Sequence, residues 1–272
     1  MPTGITNLVQ IPPAVQNFYD GILLDRATAL NVYGKYGQRR PVDQKSGNIA
    51  KFRRYNSLPE TTVPLVDGVT PTALRVNITD YTETLSQYGA YVEYTDQVEY
   101  FNEDPVLAEF SELLGEHAGS TLDMVWRDKL AAGSSVYYAN AVASRNLVTA
   151  RPATADFDLI RRVLARANAK PFKPILKAGT GVGTTPIRAS YIVLIHPNAS
   201  HTIRGLAGFV HVAQYPNPGI AEEGEIGSYG DFRFIETTNA KFFPDSGLAI
   251  GATGNATTSG VLQDVYAAII LA

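Results

Sequence analysis

Residues 1–48 combine a proline-rich start with one amphipathic pattern. Pro2, Pro12 and Pro13 oppose regular structure, so the first residues are predicted to form a mobile arm. Apolar residues then recur every three or four positions, at Val15, Phe18, Tyr19, Ile22, Leu23, Ala27 and Leu30. This spacing predicts a helix that Gly34 or Gly37 ends. The apolar face of this helix must be buried, either against the chain's own core or against a neighbouring molecule.

Between residues 49 and 95 the period of the apolar positions changes to two. The alternation predicts strands over Ile49–Tyr55, Leu74–Thr79 and Tyr88–Tyr94, each with one polar face. The first two are joined by Ser57–Pro71, a long segment that three prolines stiffen. Unstructured connections of this length are generally functional, so the pattern predicts an extended hairpin with little core of its own.

The strongest local signal is a long helix that starts at Asp104 and Pro105, an N-cap followed by proline at the first helical position. Apolar residues continue at helical spacing as far as Gly133, which predicts about 28 residues. Gly115 and Gly119 each cost about 1 kcal/mol within a helix unless close packing uses them. A helix of this length is expected to organise the elements around it.

The remainder, residues 151–272, has an alternating pattern of helices and strands. Helical spacing covers Asp156–Ala169, and strand patterns cover Tyr191–Ile195, Phe232–Thr237 and Val265–Leu271, with a predicted loop at Phe209–Gly224. A mixed sheet with a helix packed on it is therefore expected. The chain as a whole is predicted to be α+β.

Composition places the chain among globular proteins, since 45% of its 272 residues are apolar and 18% are charged. The absence of cysteine excludes disulfides, cysteine-bound metals and thiol catalysis. No apolar run is long enough to span a bilayer and no secretion signal is recognisable, so the chain is expected to stay soluble without membrane contact.

Charge is segregated along the chain. Residues 1–57 carry eight Lys and Arg against three Asp, while the net charge of the whole chain is -3. Such a basic segment binds nucleic acid, meets an acidic surface on another copy of the chain, or is simply solvated. The negative remainder indicates that any contact with DNA is weak and nonspecific.

The sequence contains no recognisable catalytic motif. Gly179, Gly181 and Gly183 lack the flanking strand and helix of a phosphate loop, and the four histidines, His117, His196, His201 and His211, lack metal-ligand spacing. An enzyme would need an unrecognised polar site, for example around His196, His201 and Glu225. We predict no enzymatic activity, no cofactor and no bound metal.

One acidic cluster remains, formed by Glu222, Glu223 and Glu225. Its spacing does not match a calcium loop, which leaves a solvated turn or an acidic face for the basic segment of a neighbour.

Short motifs in a fixed order resemble those of the major capsid proteins of tailed phages, in the N-four-type branch with the Hong Kong 97-type fold. In the first part of the chain they are Phe18-Tyr19, Leu23-Leu24-x-Arg26-Ala27, Gly37-Gln38-x-Arg40-Pro41, Phe52-Arg53-Arg54-Tyr55, Glu60-Thr61-Thr62 and Asp67-Gly68-Val69-Thr70-Pro71. Further along they are Asp104-Pro105-Val106-Leu107, Leu113-Leu114-Gly115-Glu116, Thr121-Leu122-Asp123, His196-Pro197, Gly224-Glu225-Ile226-Gly227 and Arg233-Phe234-x-Glu236-Thr237.

The resemblance implies four regions: an N-terminal arm (1–48), an extended loop hairpin (49–95), a peripheral domain on the spine helix (96–150) and an axial domain (151–272). Family members usually continue into a strand that returns to the peripheral domain, and this return is expected to be missing here. The implied function is an icosahedral shell of hexamers and pentamers around the double-stranded DNA of a tailed bacteriophage. The shell of an encapsulin compartment has a related architecture and is the alternative.

The resemblance also implies partners and contact residues. The partners are the chain itself, the packaged DNA through weak contacts, and portal, scaffolding or decoration proteins, with assembly in the host cytoplasm. We expect contacts between subunits to involve these charged residues: Arg39, Arg40, Arg53, Arg54, Glu60, Asp67, Glu222, Glu223 and Glu225. Within this set, Arg53 and Arg54 are expected to form charge-assisted contacts with a neighbour's acidic groups.

Overall fold

A computed structural model describes residues 31–37, 41, 47–96, 100, 106–175, 187–216, 221–249 and 257–272. The chain divides into a hairpin unit, Gln38–Tyr94, and a body unit made of Met1–Gly37 and Thr95–Ala272. The predicted N-terminal helix, Arg39, Arg40 and the glycine-rich segment at 179–183 lie outside the described residues.

The hairpin unit contains one antiparallel strand pair, β1 (Ile49–Tyr55) and β2 (Ile78–Thr84). The strand predicted at Leu74–Thr79 is displaced, since β2 runs from Ile78 to Thr84. In the observed register Leu74 would lie opposite Pro59, which has no N–H to donate. The predicted strand at Tyr88–Tyr94 is wrong. Those residues alternate like a strand but pair with no strand among the described residues.

The body unit is built on a mixed five-stranded sheet, which confirms the sequence-based expectation. Its strands are β3 (Tyr191–Ile195), β4 (Val210–His211), β5 (Glu225–Tyr229), β6 (Phe232–Glu236) and β9 (Ile269–Leu271), in the spatial order β4-β5-β6-β3-β9. Strand β3 runs parallel to β6 and antiparallel to β9. A separate pair joins β7 (Phe242–Phe243) to β8 (Val265–Tyr266), so the predicted last strand is two short ones.

Three helices accompany the sheet in the described part of the body: α1 (Val106–Ala131), α2 (Thr154–Arg166) and α3 (Pro197–Arg204). Helix α1 is 26 residues long, which confirms the predicted long helix, although its start at 104–105 lies outside the described residues. Its two glycines, Gly115 and Gly119, are buried. None of the described helices combines the length and hydrophobicity that a bilayer crossing needs.

Both faces of the central sheet are covered, which explains why all five residues of β3 are buried. Val193 and Phe234 lie on one face and pack with Phe157 of α2 and Ile203 of α3. Their neighbours along the strands lie on the other face, where Ile192, Leu194 and Ile235 pack with Tyr33 and, at the edge, Trp126 of α1. The body thus has a conventional three-layer core.

Candidate intersubunit surface

The hairpin unit exposes an unusual amount of apolar surface. Every residue from 47 to 96 is exposed except Ala50 and Thr79, which are half-buried. Seventeen large apolar side chains are among them, and the most exposed is Tyr91. Exposed apolar side chains in this number indicate an interaction site, because soluble proteins otherwise keep exposed apolar patches small.

Apolar residues are concentrated at the tip of the hairpin. Val63, Leu65, Val66 and Val69 are 63–76% exposed. A turn forms here, in which the Val69 N–H donates to the Val66 carbonyl at 3.1 Å and Gly68 has φ of +75°. This positive φ suits glycine at the third position of a type II turn. The tip therefore has local structure that presents several apolar side chains to solvent.

The charges of the hairpin are partly satisfied within it. Asp80 of β2 accepts from Lys51 Nζ at 2.8 Å and from Arg53 Nε at 2.9 Å, both on β1. Hydrogen bonds from Arg53 and Lys51 lower the pKa of Asp80 to about 2. Arg54, Glu60 and Asp67 are exposed and form no ion pair with another described residue. Arg53 thus has an acidic partner in its own strand pair, whereas Arg54 does not.

Replacing Arg53 with Gln is expected to raise the pKa of Asp80 toward its ordinary value of 3.8, because the largest cause of its depression is removed. The hairpin contact should be fully present above pH 3.8 and be lost as the pH falls toward 2. NMR titration of the carboxyl carbon in unassembled subunits measures this. Arg54→Gln is the control and should leave Asp80 unchanged; an ordinary pKa in the unaltered protein would refute the pairing.

The three glutamates of the acidic cluster form ion pairs with three different basic residues of the body. Glu222 pairs with Lys173, and Glu223, which is exposed, pairs with Lys35 at 3.4 Å. The Glu225 carboxylate is fully buried and pairs with Arg233. The solvated-turn interpretation is therefore wrong for Glu225, whose charge is used inside the subunit. No group of three or more metal-ligating side chains occurs among the described residues.

Glu225 and Arg233 form a bidentate pair, with Nε–Oε1 and Nη2–Oε2 distances of 2.7 and 3.0 Å. The Glu225 carboxylate also accepts from the Tyr215 hydroxyl at 2.7 Å and from the Glu222 N–H at 2.9 Å. Burial raises the pKa of Tyr215, and hydrogen bonding to Glu225 adds to this. Both charges are therefore paired and hydrogen-bonded, the condition under which a buried ion pair is tolerated.

A second buried carboxylate fixes the segment that precedes the hairpin unit to helix α1 of the body. Asp123 has no exposed surface, and its Oδ1 accepts from the N–H groups of Val32 and Tyr33 at 2.9 and 2.8 Å. A Cβ at Gly34 would lie 2.0 Å from a ring carbon of Trp126, so this contact also requires glycine. Residues 31–37 are thereby held on the sheet face that Tyr33 covers.

Asp123→Ala is expected to lower the free energy of unfolding by about 2–3 kcal/mol, because two backbone N–H groups lose their acceptor in a buried site. Urea denaturation followed by circular dichroism measures the loss. Asp123→Asn keeps the Oδ1 acceptor and should cost clearly less. Equal losses in the two variants would show that the carboxylate charge, and not the hydrogen bonds, stabilises this contact.

Two of the four histidines accept hydrogen bonds from nearby backbone N–H groups. His196 Nδ1 accepts from the Asn198 N–H and caps α3, and burial lowers the pKa of this imidazole. His211 Nδ1 accepts from the Ala213 N–H in the same way, and His117 is exposed on α1. In the alternative site around His196, His201 and Glu225, the Glu225 carboxylate is already paired with Arg233.

Comparison with known proteins agrees with a role in assembly. A family model described as phage capsid protein matches residues 80–268, which is more than half of the chain and extends from within β2 to the residue before β9. No curated protein sequence matches. The matched family is structural and not enzymatic. The chain belongs to this family of phage capsid proteins.

Proposed function

We propose that the chain is the major capsid protein of a tailed bacteriophage and that its copies assemble into the icosahedral shell around the double-stranded DNA genome. The family match supports the capsid role. We further propose the Hong Kong 97-type architecture, with an arm at 1–48, an extended loop at 49–95, a peripheral domain at 96–150 and an axial domain at 151–272. The mixed α and β structure is compatible with a phage capsid fold, which supports this proposal.

One observation carries the proposal, namely the apolar surface of the hairpin unit. Seventeen large apolar side chains are exposed between Ile49 and Tyr94, and none of the described residues of that unit is fully buried. Covering such a surface is favourable by about 25 cal/mol per Å². A second copy of the chain is the partner that a capsid lattice supplies at high local concentration, and the contact repeats at every subunit.

Ion pairs within the subunit indicate which charged residues are available at the edge of the proposed contact between subunits. Arg53 is engaged with Asp80 in its own hairpin, so Arg54 is the better candidate for a partner's acidic group. Glu60, Asp67 and Glu223 are exposed and suit the polar rim of an interface. Arg39 and Arg40 lie outside the described residues and remain candidates from sequence. Portal, scaffolding and decoration proteins are further proposed partners, with assembly in the host cytoplasm.

Sedimentation velocity of the purified full-length chain over a dilution series tests the proposal. We expect a fast-sedimenting species far above the monomer, whose fraction rises cooperatively with protein concentration. Assembly driven by apolar burial should also weaken on cooling. A single monomeric species at every concentration and temperature would contradict a capsid role for this chain.

A further inference from the structure

A basic patch lies on the body unit, on and beside helix α2. It consists of three arginines of helix α2, a lysine just after the helix, and an arginine before β3: Arg161, Arg162, Arg166, Lys170 and Arg188. All five side chains belong to exposed residues. The core-facing residues of the helix are Phe157, Ile160 and Leu164, so Arg162 and Arg166 project from the opposite side.

The positive charge of this patch exceeds the negative charge beside it. Asp231 is shared between two of its members, with Arg161 Nε at 2.8 Å and Arg188 Nη1 at 3.8 Å. On α2 itself, Asp158 lies one turn before Arg162 and forms no ion pair with a described residue. Two carboxylates therefore face five cations, which leaves a local excess of positive charge on a chain whose net charge is -3.

The composition of the patch favours a polyanion over a protein surface. Protein interfaces have an apolar core, as the hairpin unit would supply, whereas Leu159 is the one strongly exposed large apolar residue that the structure records on α2. Arginine binds phosphate through two parallel hydrogen bonds and dominates contacts to nucleic-acid backbones. A helix face with arginines one turn apart and little apolar surface matches phosphate recognition.

We propose that this patch binds the phosphate backbone of duplex DNA, without sequence specificity, and is the contact between the shell protein and the genome. The inference rests on the proposed function, since enclosure in a shell places DNA beside every subunit. Each subunit contributes few phosphate contacts, so the binding is weak for one chain and significant only when many copies face the same DNA.

Fluorescence anisotropy with a short labelled DNA duplex and the full-length chain tests the proposal at low and moderate salt. Arg162→Gln combined with Arg166→Gln is expected to weaken binding about tenfold at low salt and to reduce the slope of log affinity against log salt by about 2. Lys51→Gln combined with Arg75→Gln removes the same charge from exposed positions in the hairpin unit, outside the proposed subunit contacts, and should change neither quantity.

Two results would overturn the inference: equal weakening by both double variants, which indicates a response to net charge alone, or unchanged binding in the α2 variant. Absence of measurable binding by the unaltered chain at low salt would overturn it as well. Sedimentation of the same samples keeps this test separate from the proposed function. Unaltered protein that binds DNA but never assembles would refute the capsid shell and leave the DNA contact in place.

Discussion

Replacement of Arg233 by Met is expected to lower the free energy of unfolding by about 3–5 kcal/mol. The substitution removes the cation from a pair whose side chains are only 2% and 0% exposed, and it leaves the Glu225 carboxylate buried without a counter-charge. The hydrogen bonds from Tyr215 and the Glu222 N–H do not compensate for a full negative charge. Urea denaturation of unassembled subunits, followed by circular dichroism, measures the change.

Two controls separate the cost of an unpaired charge from the cost of losing a side chain. Glu225→Gln added to Arg233→Met removes the second charge but keeps an oxygen that accepts from Tyr215, and the double variant should recover much of the loss. Arg161→Met breaks an exposed pair with Asp231 and should cost less than about 1 kcal/mol. A loss in Arg233→Met as small as that in Arg161→Met would mean that the pair is not buried in solution.

Replacing Leu65 and Val66 together by Ser is expected to abolish assembly while the fold of the subunit is retained. Both side chains are more than 60% exposed, so the monomer loses no buried contacts. If a neighbouring subunit covers them, the polar substitutions remove about 1.5–3 kcal/mol per side chain from each contact. Because the contact repeats in every subunit, the concentration needed for assembly should rise by several orders of magnitude. Sedimentation velocity measures that concentration.

The control variant for the hairpin tip keeps both substituted side chains apolar. Leu65→Met with Val66→Ile changes the shape of the same two positions and should still assemble, since apolar area is retained. Circular dichroism should be the same for both variants and the unaltered chain. Normal assembly of the Ser variant would show that the tip is not the apolar anchor, and loss of secondary structure would show that it stabilises the subunit itself.

Local signals in the sequence were sufficient to predict the main elements of the body. Helix α1 has apolar residues at helical spacing over 26 residues, and β3 is a short apolar run between polar residues, so each is specified within its own segment. Strand β5 was missed because Gly224, Gly227 and Ser228 resemble a turn. Gly227 is required there for a different reason: a Cβ would lie 2.4 Å from the Val210 carbonyl oxygen of the adjacent strand.

Partners of charged residues could not be predicted in the same way, because they depend on register and burial. Asp80 lies opposite Arg53 only because β2 begins at Ile78, later than its apolar alternation indicates. Glu225 has two acidic neighbours in sequence and resembles a solvated cluster, yet a bidentate arginine eight residues away neutralises it. One signal was available: Arg233 stands in the middle of an otherwise apolar strand, Phe232–Glu236, where an unpaired arginine would be costly.

Electron cryo-microscopy of particles formed by the full-length chain tests most directly whether copies of the chain cover the apolar hairpin. We predict closed shells in which Leu65, Val66 and Val69 of each subunit are buried against an adjacent subunit. Closed shells in which these side chains remain in solvent, or a protein that yields only single subunits on the grid, would contradict the account.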